Sequence, residues 1–285
     1  PMYSSISPAK LNLNLEVNNL LKNGFHNITS IMHTLSLSDK ISINYSDEIK
    51  SVFLPTIINN MDNSIIDTII LFKNKFNIHE SFEVVIKKEI PISAGLGGGS
   101  SNSSTVLKLL IDLAKLKLST TDILELALQL SSDSPFFICS GCALVEGIGG
   151  DIKTTSRLKN LWAVIITPIN IMIENKTKHM YSLLTDKHYT NGAITTEIFN
   201  SLNQPNANNI QILKNSMNTF EYVIDDIFSE YKDLKKKFLD MGAPFVRLSG
   251  SGPSFFSIFD NFDQANIIAT SMENNNLRII VTQLD

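Results

Sequence analysis

Residues 91–104 read PISAGLGGGSSNSS, a stretch in which four of the chain's thirteen glycines fall within five positions. The segment before it, residues 81–90, alternates apolar and polar side chains as a β-strand does. The segment after it, residues 105–118, repeats apolar side chains at helical spacing. A glycine- and serine-rich stretch can be a flexible linker, but regular elements on both sides favour a loop between a strand and a helix.

Such a loop is suited to an anion. A helix N-terminus presents unpaired N–H groups and a partial positive charge, and glycines let the backbone close around a phosphate. The sequence therefore predicts a phosphate-binding loop, with a purely structural turn as the alternative. A Walker loop would need a lysine after the glycines, and a dinucleotide fingerprint starting at Gly95 would need glycine at Ser100. The protein-kinase signatures H-R-D and D-F-G are absent as well.

Composition bounds the class of protein. The chain has 285 residues, of which 43% are hydrophobic and 18% charged, enough for one large domain or two. A net charge of -4 gives no electrostatic attraction for nucleic acid. No apolar run approaches the ~18 residues needed to span a bilayer, and the first residues lack the basic and apolar regions of a signal peptide. We expect a cytoplasmic monomer or weak homodimer that binds neither nucleic acid nor membrane.

The two cysteines, Cys139 and Cys142, form a C-x-x-C pattern. This spacing occurs in redox pairs and in half of a zinc site. A zinc site would need two further ligands, and the five histidines show no pair at the expected spacing nearby. Because the surrounding residues 136–145 are mostly apolar, we expect a strand or tight turn that carries small, structural thiols.

The rest of the chain mixes strand and helix patterns. Side-chain patterns typical of strands occur at residues 3–17, 31–37, 41–45 and 161–168, and patterns typical of helices occur at residues 61–76 and 120–130. A polar stretch near residues 153–159 suggests a boundary between a domain of residues 1–156 and one of residues 157–285. The second domain is expected to contain two or three helices before Leu239. A Gly-Ser turn at 249–252 then separates two strand-like runs, and the two glycine-rich turns could face one cleft.

Three segments together carry a family resemblance: SPAKLNLNL at 7–15, PISAGLGGGSSNSS at 91–104 and LSGSGPSFF at 248–256. Their order and spacing resemble those of the GHMP kinases, which phosphorylate small-molecule alcohols. The resemblance implies an α+β fold of two domains, an N-terminal one like a ribosomal-protein domain and a C-terminal ferredoxin-like one. It also implies ATP and Mg2+ as cofactors and a small-molecule substrate.

Within the family, NGFHNI at 23–28, GLGGGSSN at 95–102 and SSDSPFF at 131–137 resemble one branch most. That branch phosphorylates the 2-hydroxyl of 4-diphosphocytidyl-2-C-methyl-D-erythritol in the non-mevalonate route to isoprenoid precursors. Phe25 stands where this branch usually has tyrosine, which removes a hydroxyl and keeps a ring. A homoserine- or mevalonate-type kinase and a non-catalytic ligand sensor of the same fold remain alternatives.

The resemblance also implies roles for individual residues. Asp133 would take the proton of the acceptor alcohol, and Lys10 would pair with it and face the reacting groups. The substrate would be bound by Asn12, Phe25, His26 and Tyr181. ATP would be bound by Pro91, Ile92, Ser93, Ala94, Gly95, Leu96, Gly97, Gly98, Gly99, Ser100 and Ser101, with Asn63 and Lys88 nearby. Without the resemblance, we would interpret Lys10 as a solvent-exposed lysine on a strand and Asp133 as an acidic residue just after a helix. The sequence does not assign ligands for the metal.

Overall fold

Strands and helices are intermixed along the chain, often in runs of one kind. A computed structural model describes residues 3–55, 63–169, 171 and 175–285. The strands are β1 (Tyr3–Leu20), β2 (His26–Ser46), β3 (Lys50–Leu54), β4 (Ser81–Lys87), β5 (Cys142–Gly147), β6 (Asp151–Thr155), β7 (Trp162–Pro168), β8 (Arg247–Leu248), β9 (Phe255–Phe259) and β10 (Leu277–Gln283). The helices are α1 (Ser64–Phe76), α2 (Gly98–Leu113), α3 (Thr120–Leu130), α4 (Ser134–Cys139), α5 (Lys176–Ser182), α6 (Ala193–Leu202), α7 (Asn209–Leu213), α8 (Tyr231–Asp240) and α9 (Phe262–Met272). The mixed α+β class predicted from the sequence is confirmed.

The chain forms two compact units, and neither is a continuous stretch. Unit 1 contains Pro1–Ala9, Leu37–Ile92 and Gly97–Ser140. Unit 2 contains Lys10–Ser36, Ser93–Leu96 and Gly141–Asp285. Strands β1 and β2, which pair with each other, contribute residues to both units. The predicted domain boundary between residues 156 and 157 stays a prediction.

Unit 1 joins helices to a small sheet. The C-terminal part of β2 pairs antiparallel with β4, and β3 pairs parallel with β4. In β4 the side chains of Phe82, Val84 and Ile86 alternate with more exposed ones, so one face of the strand is buried. The core is formed by apolar residues of the sheet and of α1, α2 and α3, among them Ile41, Ile43, Ile69, Phe72, Val106, Leu110 and Leu126.

Unit 2 contains a four-stranded antiparallel sheet in the order β10, β7, β9, β8. Its core is built on that sheet and on the helices of the unit, with Val164, Met180, Phe220, Phe238, Phe255 and Met272 among its buried residues. The N-terminal part of β2 pairs with β5, and β5 pairs with β6. Among the described helices, none is long and apolar enough to cross a bilayer.

Several sequence expectations need correction. The helix after the glycine loop runs from Gly98 to Leu113 rather than over 105–118. Glycine and serine are poor helix formers, but the Ser104 hydroxyl donates to the carbonyl of Ser100 at 2.8 Å, and residues 101–107 are all buried. Tertiary burial therefore overrides propensity and extends the helix into the glycine-rich stretch.

The segment around the two cysteines differs from expectation before Cys142, while the expected strand is confirmed from Cys142 to Gly147. Residues 134–139 form the short helix α4, not a strand or tight turn, because Pro135 in the first turn already has the backbone angle of a helix. Cys139 ends α4 and is half-buried, whereas Cys142 begins β5 and is buried.

The strand pattern at 31–37 and 41–45 is confirmed, and both stretches belong to the single strand β2. The expected number of helices was wrong, since four α-helices lie between Lys176 and Asp240 among the described residues instead of two or three. By contrast, the helix at 120–130, the strand at 161–168 and the strands on either side of 249–252 are confirmed. Of the helix expected at 61–76, residues 61 and 62 lie outside the described part and the rest forms α1.

Candidate active site

A buried ion pair fixes the beginning of the glycine-rich loop in unit 1. Lys88 Nζ lies 2.5 Å from Asp39 Oδ2, and the Asp39 side chain is fully buried. The other carboxylate oxygen of Asp39 accepts hydrogen bonds from the backbone N–H groups of Glu89 at 2.8 Å and Ile90 at 2.9 Å. Because one carboxylate holds three donors, the chain enters the loop at a defined position.

Helix α2 starts where the loop ends. Gly97 precedes the helix with a φ of 72°, a left-handed conformation that glycine adopts without strain. A Cβ atom at Gly98 would lie 3.2 Å from Ile90 Cγ2 and 3.3 Å from Lys88 Nζ, so the backbone is close to its neighbours there. The first turn of α2 contains no acidic residue. The positive end of the helix is therefore not neutralised by its own side chains.

A group of serines connects the start of α2 with the residues around Asp133. The Ser131 hydroxyl lies 2.8 Å from Ser100 Oγ and 2.7 Å from Ser134 Oγ. The Ser104 hydroxyl donates to the Ser134 carbonyl at 2.9 Å. Asp133 is half-buried and is the residue immediately before α4. Since the residues near Asp133 bond to the first turns of α2, its place relative to that helix is fixed.

Ser100 and Ser101 differ in access. Ser101 is fully buried, and its hydroxyl accepts a hydrogen bond from Ser7 at 2.8 Å. Ser100 is only partly buried. A hydroxyl oxygen has two lone pairs and one proton, so Ser100 can accept from Ser131 and still contact another group.

In unit 2, residues 93–96 of the first glycine-rich segment touch the second one. The Ser249 hydroxyl donates to the Gly95 carbonyl at 3.0 Å, and the Ser254 N–H donates to the Ala94 carbonyl at 3.2 Å. Gly95 has a φ of 83°, and a Cβ atom there would press on the carbonyl oxygen of Ser249. The two turns that are far apart in the sequence are thus in direct contact.

Strand β1 aligns three polar side chains in unit 2. Lys10, Asn12 and Asn14 are buried and alternate along the strand, which puts them on one face. Lys10 Nζ donates to Asn12 Oδ1 at 2.5 Å, and Asn12 Nδ2 donates to Ser30 Oγ at 2.8 Å. The Lys10 backbone N–H also donates to the Leu96 carbonyl at 2.9 Å, which joins this strand to the glycine-rich segment.

An aromatic cluster in unit 2 contains two of the predicted substrate residues. His26 stacks on Tyr181 with ring centroids 4.7 Å apart and an interplanar angle of 25°. Tyr181 in turn contacts the Phe220 ring edge to face. Burial lowers the pKa of His26, which favours the neutral ring. Phe25, the neighbouring predicted residue, has 55% of its surface exposed and is available to a ligand.

Sequence reasoning missed Tyr189. Its hydroxyl lies 3.1 Å from His26 Nε2, and its ring meets the His26 ring edge to face. The partner is 163 residues away in the sequence, and no motif marks Tyr189. Only the folded arrangement identifies it as the residue that orients His26.

Two other predicted groups have simple surroundings. Asn63 is exposed and precedes α1, and its side chain makes no capping hydrogen bond. Cys139 and Cys142 are free thiols. Burial raises the pKa of Cys139, and it raises the pKa of Cys142 to about 12, so both favour the unreactive thiol form.

The donor set for a metal is sparse. Within the described part of the chain, no three His, Cys, Asp or Glu side chains cluster in a way that could hold a metal ion. Mg2+ in kinases usually keeps several waters and takes most other ligands from substrate phosphates. The partly exposed Ser100 hydroxyl at the start of α2 fits that mode, because it can supply one protein oxygen beside a phosphate.

Comparison with known proteins places the chain in a family. The model "GHMP kinases N terminal domain" matches residues 63–141, and "GHMP kinases C terminal" matches residues 201–278. A relative from Clostridium botulinum (strain Langeland) is 32% identical over 278 residues, covering 96% of this chain and 97% of the relative. The chain belongs to the GHMP kinases. The predicted family resemblance is confirmed.

The names of these relatives are more specific than the family name. A second relative, from Clostridium tetani, is 34% identical over 90% of this chain and 91% of its own length. It and the Clostridium botulinum protein are both called 4-diphosphocytidyl-2-C-methyl-D-erythritol kinase. A crystal structure of 4-(cytidine 5'-diphospho)-2C-methyl-D-erythritol kinase superposes with a TM-score of 0.78 at 22% identity, over 99% of this chain and 100% of that one. Homoserine kinase from Cytophaga hutchinsonii gives a TM-score of 0.73 at 19% identity, over 99% and 95% of the two chains. These structures show that this GHMP kinase has the two-domain fold of the family.

The matched regions contain the features described above. The N-terminal match includes the glycine-rich loop and Asp133, and the C-terminal match includes the turn at 249–252. Lys10 and three members of the aromatic cluster, His26, Tyr181 and Tyr189, lie outside both matches.

Proposed function

We propose that this GHMP kinase transfers the γ-phosphoryl group of ATP to the 2-hydroxyl of 4-diphosphocytidyl-2-C-methyl-D-erythritol, a step in making isoprenoid precursors. The observation that carries the proposal is the identity of 32–34% over at least 90% of the chain with relatives that bear the name of this kinase. The stacked rings of His26 and Tyr181 support it, because they offer an aromatic surface of the kind that binds a pyrimidine.

The glycine-rich segment from Pro91 to Ser101 binds the phosphates of ATP in this proposal. Backbone N–H groups at the start of α2 donate to phosphate oxygens, and the positive end of the helix, whose first turn contains no acidic residue, attracts their charge. Lys88 lies near Gly98 and adds positive charge, although Asp39 offsets part of it. Asn63 would contact the nucleotide at the start of α1.

Asp133 takes the proton of the acceptor hydroxyl. The hydroxyl oxygen forms a bond to the γ-phosphorus of ATP as the bond between the γ-phosphorus and the leaving ADP breaks. In a loose transition state the proton leaves late, so the carboxylate also orients the hydroxyl. Lys10 offsets negative charge near the transferred group. The hydrogen bond from Lys10 to Asn12 keeps the ammonium group in place on β1.

The cytidine end of the acceptor binds at the aromatic cluster of unit 2. The exposed ring of Phe25 and the ring of Tyr181 stack on the pyrimidine, and His26 hydrogen-bonds to its edge. Asn12 contributes a buried amide to the same pocket. The Tyr189 hydroxyl forms a hydrogen bond with His26 Nε2, either as donor or as acceptor, and so fixes the orientation of the imidazole ring.

Mg2+ fits the proposal through the Ser100 hydroxyl and phosphate oxygens of ATP, where it would neutralise charge on the transferred phosphoryl group. Ser101 is less suited than Ser100 because it is fully buried and bonded to Ser7.

We further propose family domains of residues 1–156 and 157–285, and a cytoplasmic enzyme that is a monomer or weak homodimer.

The test is ADP release from ATP and Mg2+ by the purified chain with one acceptor at a time: 4-diphosphocytidyl-2-C-methyl-D-erythritol, homoserine, mevalonate or galactose. We expect turnover with the cytidyl alcohol only. Turnover with a different alcohol would support the proposed kinase activity and contradict the proposed cytidine-binding pocket. Absence of turnover with all four would point to a non-catalytic ligand sensor of the same fold.

A further inference from the structure

Lys176 is a buried lysine that the proposed mechanism does not use. It begins α5, and only 6% of its surface is exposed. Its ammonium group donates to Ser251 Oγ at 3.0 Å and to the Gly252 carbonyl. Ser251 also lies 3.2 Å from the hydroxyl of Thr177. The side chain is therefore seated on the second glycine-rich turn, Ser249–Gly252.

Within the described part of the chain, no carboxylate is paired with this buried charge. The charged group that acts on it is Lys10 of β1, which is also positive, while the turn offers only hydroxyl and backbone atoms. The other titratable groups near it on α5, Lys178 and His179, are exposed. Burial, and then the charge of Lys10, lowers the pKa of Lys176 to about 8.

A buried ammonium beside another one is unfavourable unless an anion completes the site. Holding the turn in place would not require a charge, because a neutral donor could serve Ser251 and Gly252 equally well. The turn itself is close to Lys10: a Cβ atom at Gly250 would lie 3.5 Å from Lys10 Nζ and 3.5 Å from Asn12 Oδ1. Lys176 and Lys10 thus bring two ammonium groups to the same turn in unit 2.

We propose that Lys176 is a phosphate-binding residue that, together with Lys10 and the Ser249–Gly252 turn, binds a phosphate group of a substrate. The inference rests on the proposed kinase function, which supplies two phosphate-bearing substrates. The phosphate belongs either to the triphosphate of ATP or to the diphosphate of the cytidyl acceptor. Both present the same chemistry to the ammonium group, and separate titrations distinguish them.

The experiment compares Lys176→Met, which keeps the volume and removes the charge, with Lys178→Met, which removes an exposed charge two residues away. Binding of ATP and of CDP is measured by calorimetry at pH 7, and turnover with the cytidyl alcohol is measured alongside. We expect Lys176→Met to weaken binding of one of the two ligands by about 10- to 100-fold, the effect of one lost charge-assisted hydrogen bond. We expect Lys178→Met to bind both as the wild type does.

Loss confined to ATP assigns the site to the triphosphate, and loss confined to CDP assigns it to the acceptor. Unchanged binding of both ligands by Lys176→Met overturns the inference. This holds even if the wild type phosphorylates the cytidyl alcohol, in which case the proposed function stands without the proposed phosphate site. If wild-type turnover fails but the variant still loses CDP or ATP affinity, the proposed function is wrong and the phosphate site stands. A parallel loss of thermal stability without loss of affinity would show a structural lysine.

A second measurement does not depend on the variant's folding. The ammonium is charged below pH 8 and neutral above it, so wild-type affinity for the phosphate ligand should fall as the pH rises from 7 to 9. In Lys178→Met the same fall is expected. A wild-type affinity that stays constant across this range would contradict the inference.

Discussion

At the scale of single residues, Asp133 is the group on which the proposed proton transfer depends. The serines on either side of it bond to the start of α2, so a change at the carboxyl group alone should leave its surroundings intact. We expect Asp133→Asn to lower kcat by about 10²- to 10⁴-fold, because the amide cannot take the acceptor proton. The Kd for ATP should change little.

The matched control for that variant is Asp112→Asn, an exposed acid near the end of α2 in the same unit. Its kcat should equal that of the wild type. Near wild-type turnover by Asp133→Asn in single-turnover experiments would remove the base assignment.

Tyr189 allows a narrower test of the cytidine pocket. Tyr189→Phe keeps the ring that contacts His26 and removes the hydroxyl 3.1 Å from His26 Nε2. Loss of one hydrogen bond should raise KM for the cytidyl acceptor about 2- to 10-fold, with KM for ATP unchanged. Steady-state kinetics with each substrate varied in turn measures both. A rise in KM for ATP alone would place Tyr189 outside the acceptor pocket.

The sequence was most informative about residues where a motif places the functional side chains close together in the chain. Lys10 and Asn12 are two residues apart on β1, and the structure puts them in contact. Tyr189 and Lys176 were not predicted, because the partners of each lie 75 or more residues away and neither belongs to a recognisable pattern. Single residues that act through long-range contacts give no local signal.

At the scale of elements, the glycine at position 95 links two turns. Gly95→Ala would force a side chain into a left-handed backbone and against the Ser249 carbonyl. Gly24 has nearly the same φ, 84° against 83°, but nothing lies within 4 Å of the position of its Cβ atom. The two alanine variants therefore share the backbone strain and differ in the steric contact.

We expect Gly24→Ala to cost about 1–2 kcal/mol of unfolding free energy, the strain of a left-handed alanine. Gly95→Ala should cost clearly more and should weaken ATP binding as well, because the glycine-rich segment must shift. Urea unfolding and calorimetric titration with ATP measure the two effects. Equal losses of stability in both variants would show that the contact with Ser249 contributes nothing.

Element positions were predictable where side-chain periodicity decides them. The capping box of Ser119 and Asp122 marks the start of α3, and the predicted helix at 120–130 is the observed one. The start of α2 was predicted too late, because its first two turns consist of glycine, serine and one asparagine and owe their helical form to burial. Helix α4 was missed since a six-residue helix is too short for its periodicity to be seen.

At the scale of the whole molecule, the order of three motifs predicted the two-domain α+β family. The division into compact units was not predictable, because β1 and β2 each supply residues to both of them. A boundary drawn from composition assumes that each unit is a continuous stretch of chain.

Stability of the whole chain should depend on pH through His33. Its ring is fully buried, with Nδ1 at 2.8 Å from the Thr34 carbonyl and Nε2 accepting from the Leu158 N–H at 2.9 Å. Burial lowers the pKa of His33 from 6.5 to about 4. The unfolded chain therefore binds the proton first as the pH falls, and acid favours unfolding.

The stabilising contribution of neutral His33 is complete above pH 6.5 and is lost as the pH falls toward 4, by up to roughly 3 kcal/mol. Urea unfolding between pH 7 and 4 should show this slope in the wild type and in His79→Asn, which changes an exposed histidine. The slope should be much smaller in His33→Asn. An unchanged slope in that variant would assign the acid sensitivity to other groups.

The identity of the product tests the proposed kinase reaction directly. The purified chain is incubated with ATP, Mg2+ and 4-diphosphocytidyl-2-C-methyl-D-erythritol, and the mixture is followed by phosphorus NMR. We expect ADP together with a new phosphomonoester resonance on the cytidyl alcohol, whose diphosphate remains intact. Formation of ADP with only inorganic phosphate, or no change in the spectrum, would contradict it.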